Sequence, residues 1–309
     1  MIAQIYANTN LWSIIFRMSS LISTANRLKD HYWPLVKSRQ TFLLALTGAA
    51  GYLCQQPSPP DWLRFSGMTG SLLITISGCT VLNMVLDRDI DRKMVRTSQR
   101  PLAAGQVNIR TAASLGAALV ALGLFWAAML SMLYFVVILT GAGLNVLVYT
   151  LWLKRRSAWS ILWGGVAGGM PILAGRVLAV SRIDVLGLLL ALVIVCWIPS
   201  HSLTLGMLYS ADYLNAGVPT FLSVYGVAVT RLAVALSSLA TALLMVAACA
   251  RLSLPALAFI FLVATSIGLV GLASFVWAYS SRQAVSALYK YSSLYMLVSM
   301  LLLAINGFK

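Results

Sequence analysis

The sequence predicts an all-α, polytopic membrane protein: a bundle of nine transmembrane helices with its N-terminus in the cytoplasm. Three observations predict it. Of 309 residues, 60% are hydrophobic and 9% charged, with a mean hydropathy of +0.89, whereas in soluble domains about a quarter of residues are charged. Apolar runs long enough to cross a core of roughly 30 Å recur along the chain. The 22 Lys and Arg residues gather at alternate ends of those runs, which is the positive-inside pattern. The net charge of +15 therefore follows from topology. It forms no basic stripe on a soluble fold, so the expected partner is a lipid bilayer and no nucleic acid.

Residues 1–40 precede the first span. Leu11, Ile14, Ile15, Met18, Leu21 and Ile22 fall at helical spacing with Arg17, Arg27 and Lys29 beside them, which predicts a helix lying in the membrane interface. No basic region precedes it and no small-residue cleavage site follows, which argues against a signal peptide. A basic leader also suits an organellar transit peptide; a prokaryotic cytoplasmic membrane is preferred to a mitochondrial inner membrane. Residues 41–309 are expected to form one domain, with spans at 41–56, 65–86, 109–129, 132–153, 159–180, 184–204, 221–250, 254–280 and 288–308. With the N-terminus inside, the inner segments hold Lys37 and Arg39, the cluster from Arg88 to Arg110, Lys154 to Arg156, Arg231, Arg282 and Lys290. The outer ones hold only Arg64, Arg176, Arg182, Arg251 and Lys309. Cys54, Cys79, Cys196 and Cys249 lie singly in apolar runs, a pattern that indicates neither a disulfide framework nor a zinc site.

Acid is scarce: the chain has seven acidic residues, all Asp, and Asp87, Asp89 and Asp91 crowd the end of the second run. Read as helix, Asn83, Asp87 and Asp91 recur every four residues and lie within roughly 80° of one face; Asp89 points away. Two carboxylates and an amide oxygen suit a hard cation such as Mg²⁺, which takes one or two carboxylates and completes its shell with water and substrate phosphate. Arg92, Lys93, Arg96 and Arg100 follow and could hold the outer phosphate oxygens. The stretch reads as a metal–diphosphate site at a membrane surface.

The run N-x-x-x-D-x-x-x-D, then R-T-x-x-R-P-L and Gly, over residues 83–105 resembles the first aspartate motif of the UbiA superfamily of intramembrane prenyltransferases. Its R-T-x-x-R-P-L ending is most similar to the protohaem IX farnesyltransferase (haem O synthase) branch. In Tyr149-Thr150 and Lys154-Arg155 the fourth span ends with a pattern similar to the family segment whose Tyr and Lys contact the diphosphate. Trp197-x-Pro199-x-His201 and Asp212-Tyr213-x-x-Ala216-Gly217-Val218-Pro219 resemble the branch's second signature region. The resemblance implies a UbiA-like helical bundle, Mg²⁺ as cofactor, farnesyl diphosphate as donor and protohaem IX (haem B) as acceptor. It implies catalytic roles for Asp87, Asp91, Lys154 and His201. It gives substrate contacts to Asn83, Arg96, Arg100, Tyr149, Arg155, Asp212 and Tyr213. Asn83, Asp87 and Asp91 are the expected metal ligands, with Asp212 as a further candidate, and a haem A synthase or oxidase-assembly protein is the implied partner. The chain departs from the family where Asp212 stands without a second carboxylate, where Leu208 and Tyr209 replace a base, and at Ser38 and Thr220.

Two features keep open readings. Gly164, Gly165, Gly168 and Gly169 ahead of Pro171 allow either close helix packing or room for a flat ligand. His201, an ionisable side chain in a span beside a helix-disrupting proline, is a functional candidate. Pro199 is expected to open the helix there, with Trp197 and Tyr213 as surfaces for a porphyrin. His31, in the leader, has no such setting. A prenyltransferase for a quinone precursor, a chlorophyllide or a lipid acceptor would keep Asp87 and Asp91 without needing His201. A transporter would need acid in mid-membrane, where this chain has almost none.

Overall fold

A computed structural model describes residues 33–36, 38–54, 60–252, 254–279 and 281–306, and every element among them is helical. The expected interfacial helix at 11–28 and His31 lie outside the described residues. The helices are α1 (Ser38–Leu53), α2 (Trp62–Leu86), α3 (Arg88–Lys93), α4 (Ile109–Leu130), α5 (Met132–Gly143), α6 (Ser160–Val180), α7 (Val185–Leu208), α8 (Ser210–Asn215), α9 (Phe221–Arg251), α10 (Ala256–Ala278) and α11 (Arg282–Asn306). A π-helical segment, Leu144–Leu153, continues α5. Eight of the described helices are long and apolar enough to cross a membrane, α5 being counted with its π segment. At 16 residues α1, expected as another span, is shorter than the roughly 20 that a bilayer core requires.

The chain's polar residues mark where these helices begin. Asp61 caps α2 by accepting from the amides of Leu63 and Arg64, Asn108 caps α4, and Asp184 accepts from the Gly187 amide at the start of α7. Thr220 and Ser223 form a reciprocal capping box on α9. Each side-chain oxygen satisfies amides that the first helical turn leaves unpaired. Two of the acidic residues away from the site, Asp61 and Asp184, thus act as helix caps.

Each spanning helix packs on the next in the chain, and α11 returns to α1, so the bundle closes on itself. α6 runs through the middle, and 61% of its apolar stretch is buried. The glycines there differ in what they meet. Gly165 and Gly169 face α7, where a Cβ on Gly169 would stand 2.9 Å from the Ala191 carbonyl oxygen. Gly164 and Gly168 line an internal cavity. A Cβ on Gly168 would also stand 2.5 Å from the Ile198 side chain of α7, so close packing on α7 is seen at three of the four.

At one end of the bundle the C-termini of α2, the π segment and α7 come together with α3, α8 and the start of α9. At the opposite end Arg176 is paired with Asp184 at 2.7 Å and donates to the Cys54 carbonyl, tying α6, α7 and α1. Asp184 is held below the usual carboxylate range: burial opposes this, and hydrogen bonds from Arg176 and the Gly187 amide outweigh it.

Candidate active site at the polar end of the bundle

Helix α2 stops at Leu86, with Asp87 at φ −91° and ψ 4° between it and α3. The hydrogen-bond register nevertheless continues, since the Asp87 amide donates to Asn83 O at 2.9 Å and the Asp91 amide to Asp87 O at 2.8 Å. The helical phase survives the break. Asn83, Asp87 and Asp91 therefore face one cavity, whereas the Asp89 side chain is 61% exposed on the other side. Asp87 and Asp91 are buried, at 2% and 4% exposure, which costs several kcal/mol per charge unless each is paired. Lys154 bonds Asp87 Oδ2, and Arg100 Nη1 bonds both Asp91 oxygens at 2.8 Å.

The residues after Asp91 build the rim. Thr97 Oγ1 donates to Asp91 O, and Leu102 is buried with Leu35, Val81 and Met84. These contacts fold the loop back so that Arg100 reaches Asp91. Arg88 and Arg92 hold the carbonyls of Leu102 and Ala103, and Gly105 closes the turn at φ +76°. The second signature region docks on the first: Ala216 and Val218 are buried against Ile90 and Met94, with Tyr213 packed on them. Gly217, at φ +70°, supplies the left-handed residue that this turn requires.

The π segment decides where the lysine goes. In an α-helix, residues five apart differ by about 140° around the axis, but here the Lys154 amide donates to Tyr149 O, a five-residue step that brings them onto one face. Asn145, Tyr149 and Lys154 all line the cavity, and the ammonium sits 5.8 Å from the Tyr149 ring centre. Burial opposes the Lys154 charge, but the neighbouring Tyr149 and Asp87 oxygens outweigh it and keep its pKa above the ordinary lysine value. Arg155, the next residue, is turned outward. It is paired with Asp89 at 2.6 Å and donates to Leu86 O, so the structure does not bring it to the cavity as the sequence suggested. That pairing, with burial a smaller opposing effect, lowers the Asp89 pKa to about 2.

Asp212 is also placed otherwise than expected. Its Oδ2 accepts from the Arg96 amide at 3.2 Å, and it lines neither of the cavities described here. It braces the rim, while the Arg96 guanidinium lies 5.2 Å from the Tyr209 ring centre and Arg96 lines the cavity.

That cavity, about 310 Å³, has a polar mouth at Asn83, Asp87, Asp91, Arg96, Arg100 and Lys154 and an apolar depth between Leu72, Ile76, Ile138 and Met170. A second cavity of about 640 Å³ adjoins it, and Gln40, Asn145, Tyr149, Lys154, Gly164 and Tyr213 line both. His201 lines the second. Its ring is stacked between Trp197 at 4.7 Å and Tyr289 at 4.6 Å, with the Ser293 hydroxyl 3.2 Å from Nδ1. Trp197, expected as a surface for a porphyrin, thus has its ring against His201, and Tyr213 sits at the junction of the cavities. Helix α7 also runs unbroken through Pro199. The Val195 carbonyl that proline cannot bond lies against Gly165 of α6, and the Trp197 indole donates to Ser292 O of α11. Tyr289, Ser293 and Asn145 escaped the sequence reading; a polar Asn in an otherwise apolar span was the one signal available.

Among the described residues no group of three or more His, Cys, Asp or Glu could hold a metal unaided. The residues nevertheless fit Mg²⁺ held jointly with a substrate. Asp87 Oδ1 is buried without a hydrogen-bond partner, and the Asn83 amide nitrogen is taken by Thr150, which leaves its oxygen as the remaining donor.

A membrane-spanning helical bundle whose acid- and base-lined mouth opens into apolar cavities defines an intramembrane prenyltransferase. The chain belongs to the UbiA prenyltransferase family, whose model matches residues 44–299. It is 41% identical over 192 residues to a protein named protoheme IX farnesyltransferase from Thermofilum pendens, covering 62% of this chain and 68% of that one. A protein of the same name from Archaeoglobus fulgidus is 36% identical over 232 residues, covering 75% and 81%. In fold, the chain superposes on a structure of digeranylgeranylglyceryl phosphate synthase with a TM-score of 0.75 at 17% identity, covering 91% of this chain and 99% of that one. It does so on an A. fulgidus UbiA homolog bound to GPP and Mg²⁺ with a TM-score of 0.67 at 15% identity, covering 89% and 99%.

Proposed function

We propose that the protein transfers a farnesyl group from farnesyl diphosphate to a vinyl group of protohaem IX, within a single domain formed by residues 41–309. The observation that carries this reading is the pair of adjoining cavities. One has a charged mouth and an apolar depth suited to a prenyl diphosphate; the other is larger, lined by His201, and meets the first at Lys154, Tyr149 and Tyr213. The relatives named protoheme IX farnesyltransferase support the choice of acceptor.

Asn83, Asp87 and Asp91 would hold Mg²⁺, which when bound helps neutralise the charge that grows on the leaving diphosphate. Arg96 and Arg100 bind the outer phosphate oxygens, and Lys154 stabilises the bridging oxygen as the allylic C–O bond breaks and the diphosphate departs with the electron pair. The vinyl group then forms the new C–C bond, and the cation left beside the porphyrin is captured by water, which loses a proton to solvent. The apolar walls keep water from the first cation until the acceptor has reacted. His201, with Ser293 on Nδ1 and both faces covered, presents only an edge, which suits an axial or propionate contact with the haem. A haem A synthase or oxidase-assembly protein would receive the product.

The test is incubation of purified protein with farnesyl diphosphate, Mg²⁺ and haem B, with product mass as the readout. The expected product is a hydroxyethylfarnesyl haem. Haem B should also give a Soret band that His201→Ala weakens or shifts without changing farnesyl diphosphate affinity. A wild-type protein that binds farnesyl diphosphate but no haem would overturn the acceptor assignment.

A further inference from the structure

Resting on the metal reading above, we infer that Thr150 is the residue that aims the Asn83 side-chain oxygen at the metal position. Thr150 is fully buried, at 0% exposure. Its Oγ1 lies 2.7 Å from the carbonyl oxygen of Asn145 and 2.9 Å from Asn83 Nδ2. A carbonyl oxygen only accepts, and a threonine hydroxyl has a single proton, so that proton is committed to Asn145. Toward Asn83 the hydroxyl can therefore only accept. An amide presents two donors on nitrogen and an acceptor on oxygen, so Asn83 must turn its NH₂ to Thr150 and its Oδ1 away. The opposite orientation would set two lone pairs against each other in a buried space. The fixed amide oxygen then stands on the helical face it shares with Asp87 and Asp91.

The same contact connects two elements. Asn145 and Thr150 belong to the π segment that carries Tyr149 and ends at Lys154, and Asn83 lies on α2. One hydroxyl thus sets the orientation of a metal-ligand candidate on α2 against the segment that supplies the lysine. Residues that orient metal ligands typically change metal affinity about 10- to 100-fold when replaced.

The experiment measures Mn²⁺ binding by electron paramagnetic resonance in the full chain, with a non-hydrolysable farnesyl thiodiphosphate present. Thermal unfolding of each metal-free variant is recorded alongside. Thr150→Val should weaken Mn²⁺ at least about 10-fold, and Thr150→Ser, which keeps the hydroxyl, should restore it. In an Asn83→Ala background Thr150→Val should add nothing, because Thr150 acts through Asn83. Should the Val variant fail to fold, Thr150→Ala carries the same comparisons. Mn²⁺ binding by Thr150→Val or Thr150→Ala equal to wild type, or a further loss in the Asn83→Ala background, would overturn the inference. Asp87→Asn is the control for the underlying reading: if it binds Mn²⁺ as wild type does, the metal site itself is wrongly placed.

Discussion

Asp87 and Asp89 are two residues apart and have opposite surroundings, and this separates what each should do when replaced. Asp87 is buried beside Lys154 with one oxygen unpartnered; Asp89 is exposed and paired with Arg155. Asp87→Asn should reduce farnesyl transfer by about 100- to 1,000-fold at roughly unchanged membrane expression, in keeping with loss of electrostatic stabilisation at a leaving group. Asp89→Ala should cost less than about tenfold, since an exposed pair contributes under about 1 kcal/mol. The same contrast divides Lys154→Gln, which should act as Asp87→Asn does, from Arg155→Gln, which should act as Asp89→Ala does; equal losses at Lys154 and Arg155 would refute the outward placement of Arg155. The pH dependence has a defined sign. Because Arg155 lowers Asp89 to about 2 from 3.8, the pair's small contribution is complete above about 4 and fades as pH falls through 2. The acidic face was legible because carboxylates are so rare in this chain that their spacing stood out. The outward direction of Arg155 was not legible because adjacency to Lys154 says nothing about direction, and Tyr289 and Ser293 were invisible because they approach His201 from another helix.

At the scale of elements, hydropathy located the spanning helices to within a few residues, since burying an apolar run in lipid is a local property of sequence. It could not show the π segment. Thr150 in that segment meets Asn83 on α2, and Lys154 at its end meets Asp87, tertiary contacts that hydropathy does not carry. Nor did it show that α9 is broken at Gly226, whose φ of 78° and ψ of 175° are non-helical. The break frees a short first turn in which Phe221 and Tyr225 pack on Trp159, with the indole donating to the Tyr225 hydroxyl at 2.8 Å. Phe221 and Leu222 line the larger cavity. A Cβ at Gly226 would meet nothing within 4 Å, so the penalty for Gly226→Ala is purely conformational, about 1–3 kcal/mol. The expected outcome is a lower unfolding temperature and a raised KM for haem with the KM for farnesyl diphosphate unchanged. An unchanged haem KM would separate the break from the acceptor cavity.

For the whole molecule the decisive feature is that two cavities, built mostly from different helices, share one wall. On the proposed reading each cavity takes one substrate, and their reacting ends would meet at the shared wall, which includes Gln40, Asn145, Tyr149, Lys154, Gly164 and Tyr213. Gly164 offers a way to test that junction without touching either charged group. Its neighbours Gly165 and Gly169 press on α7, so side chains there would force helices apart, but a Cβ on Gly164 would stand 3.4 Å from the Tyr149 ring, an ordinary contact. Gly164→Ala should therefore fold and place a methyl group against Tyr149 in the shared space. Farnesyl diphosphate affinity and the haem Soret band should each stay within a few fold of wild type, because both cavities keep their own walls and polar groups. Turnover should fall at least about tenfold, since a displacement of about 1 Å between reacting atoms already costs roughly a hundredfold in rate. Loss of binding for one substrate alone would assign Gly164 to that cavity, and wild-type turnover would show that the substrates meet elsewhere.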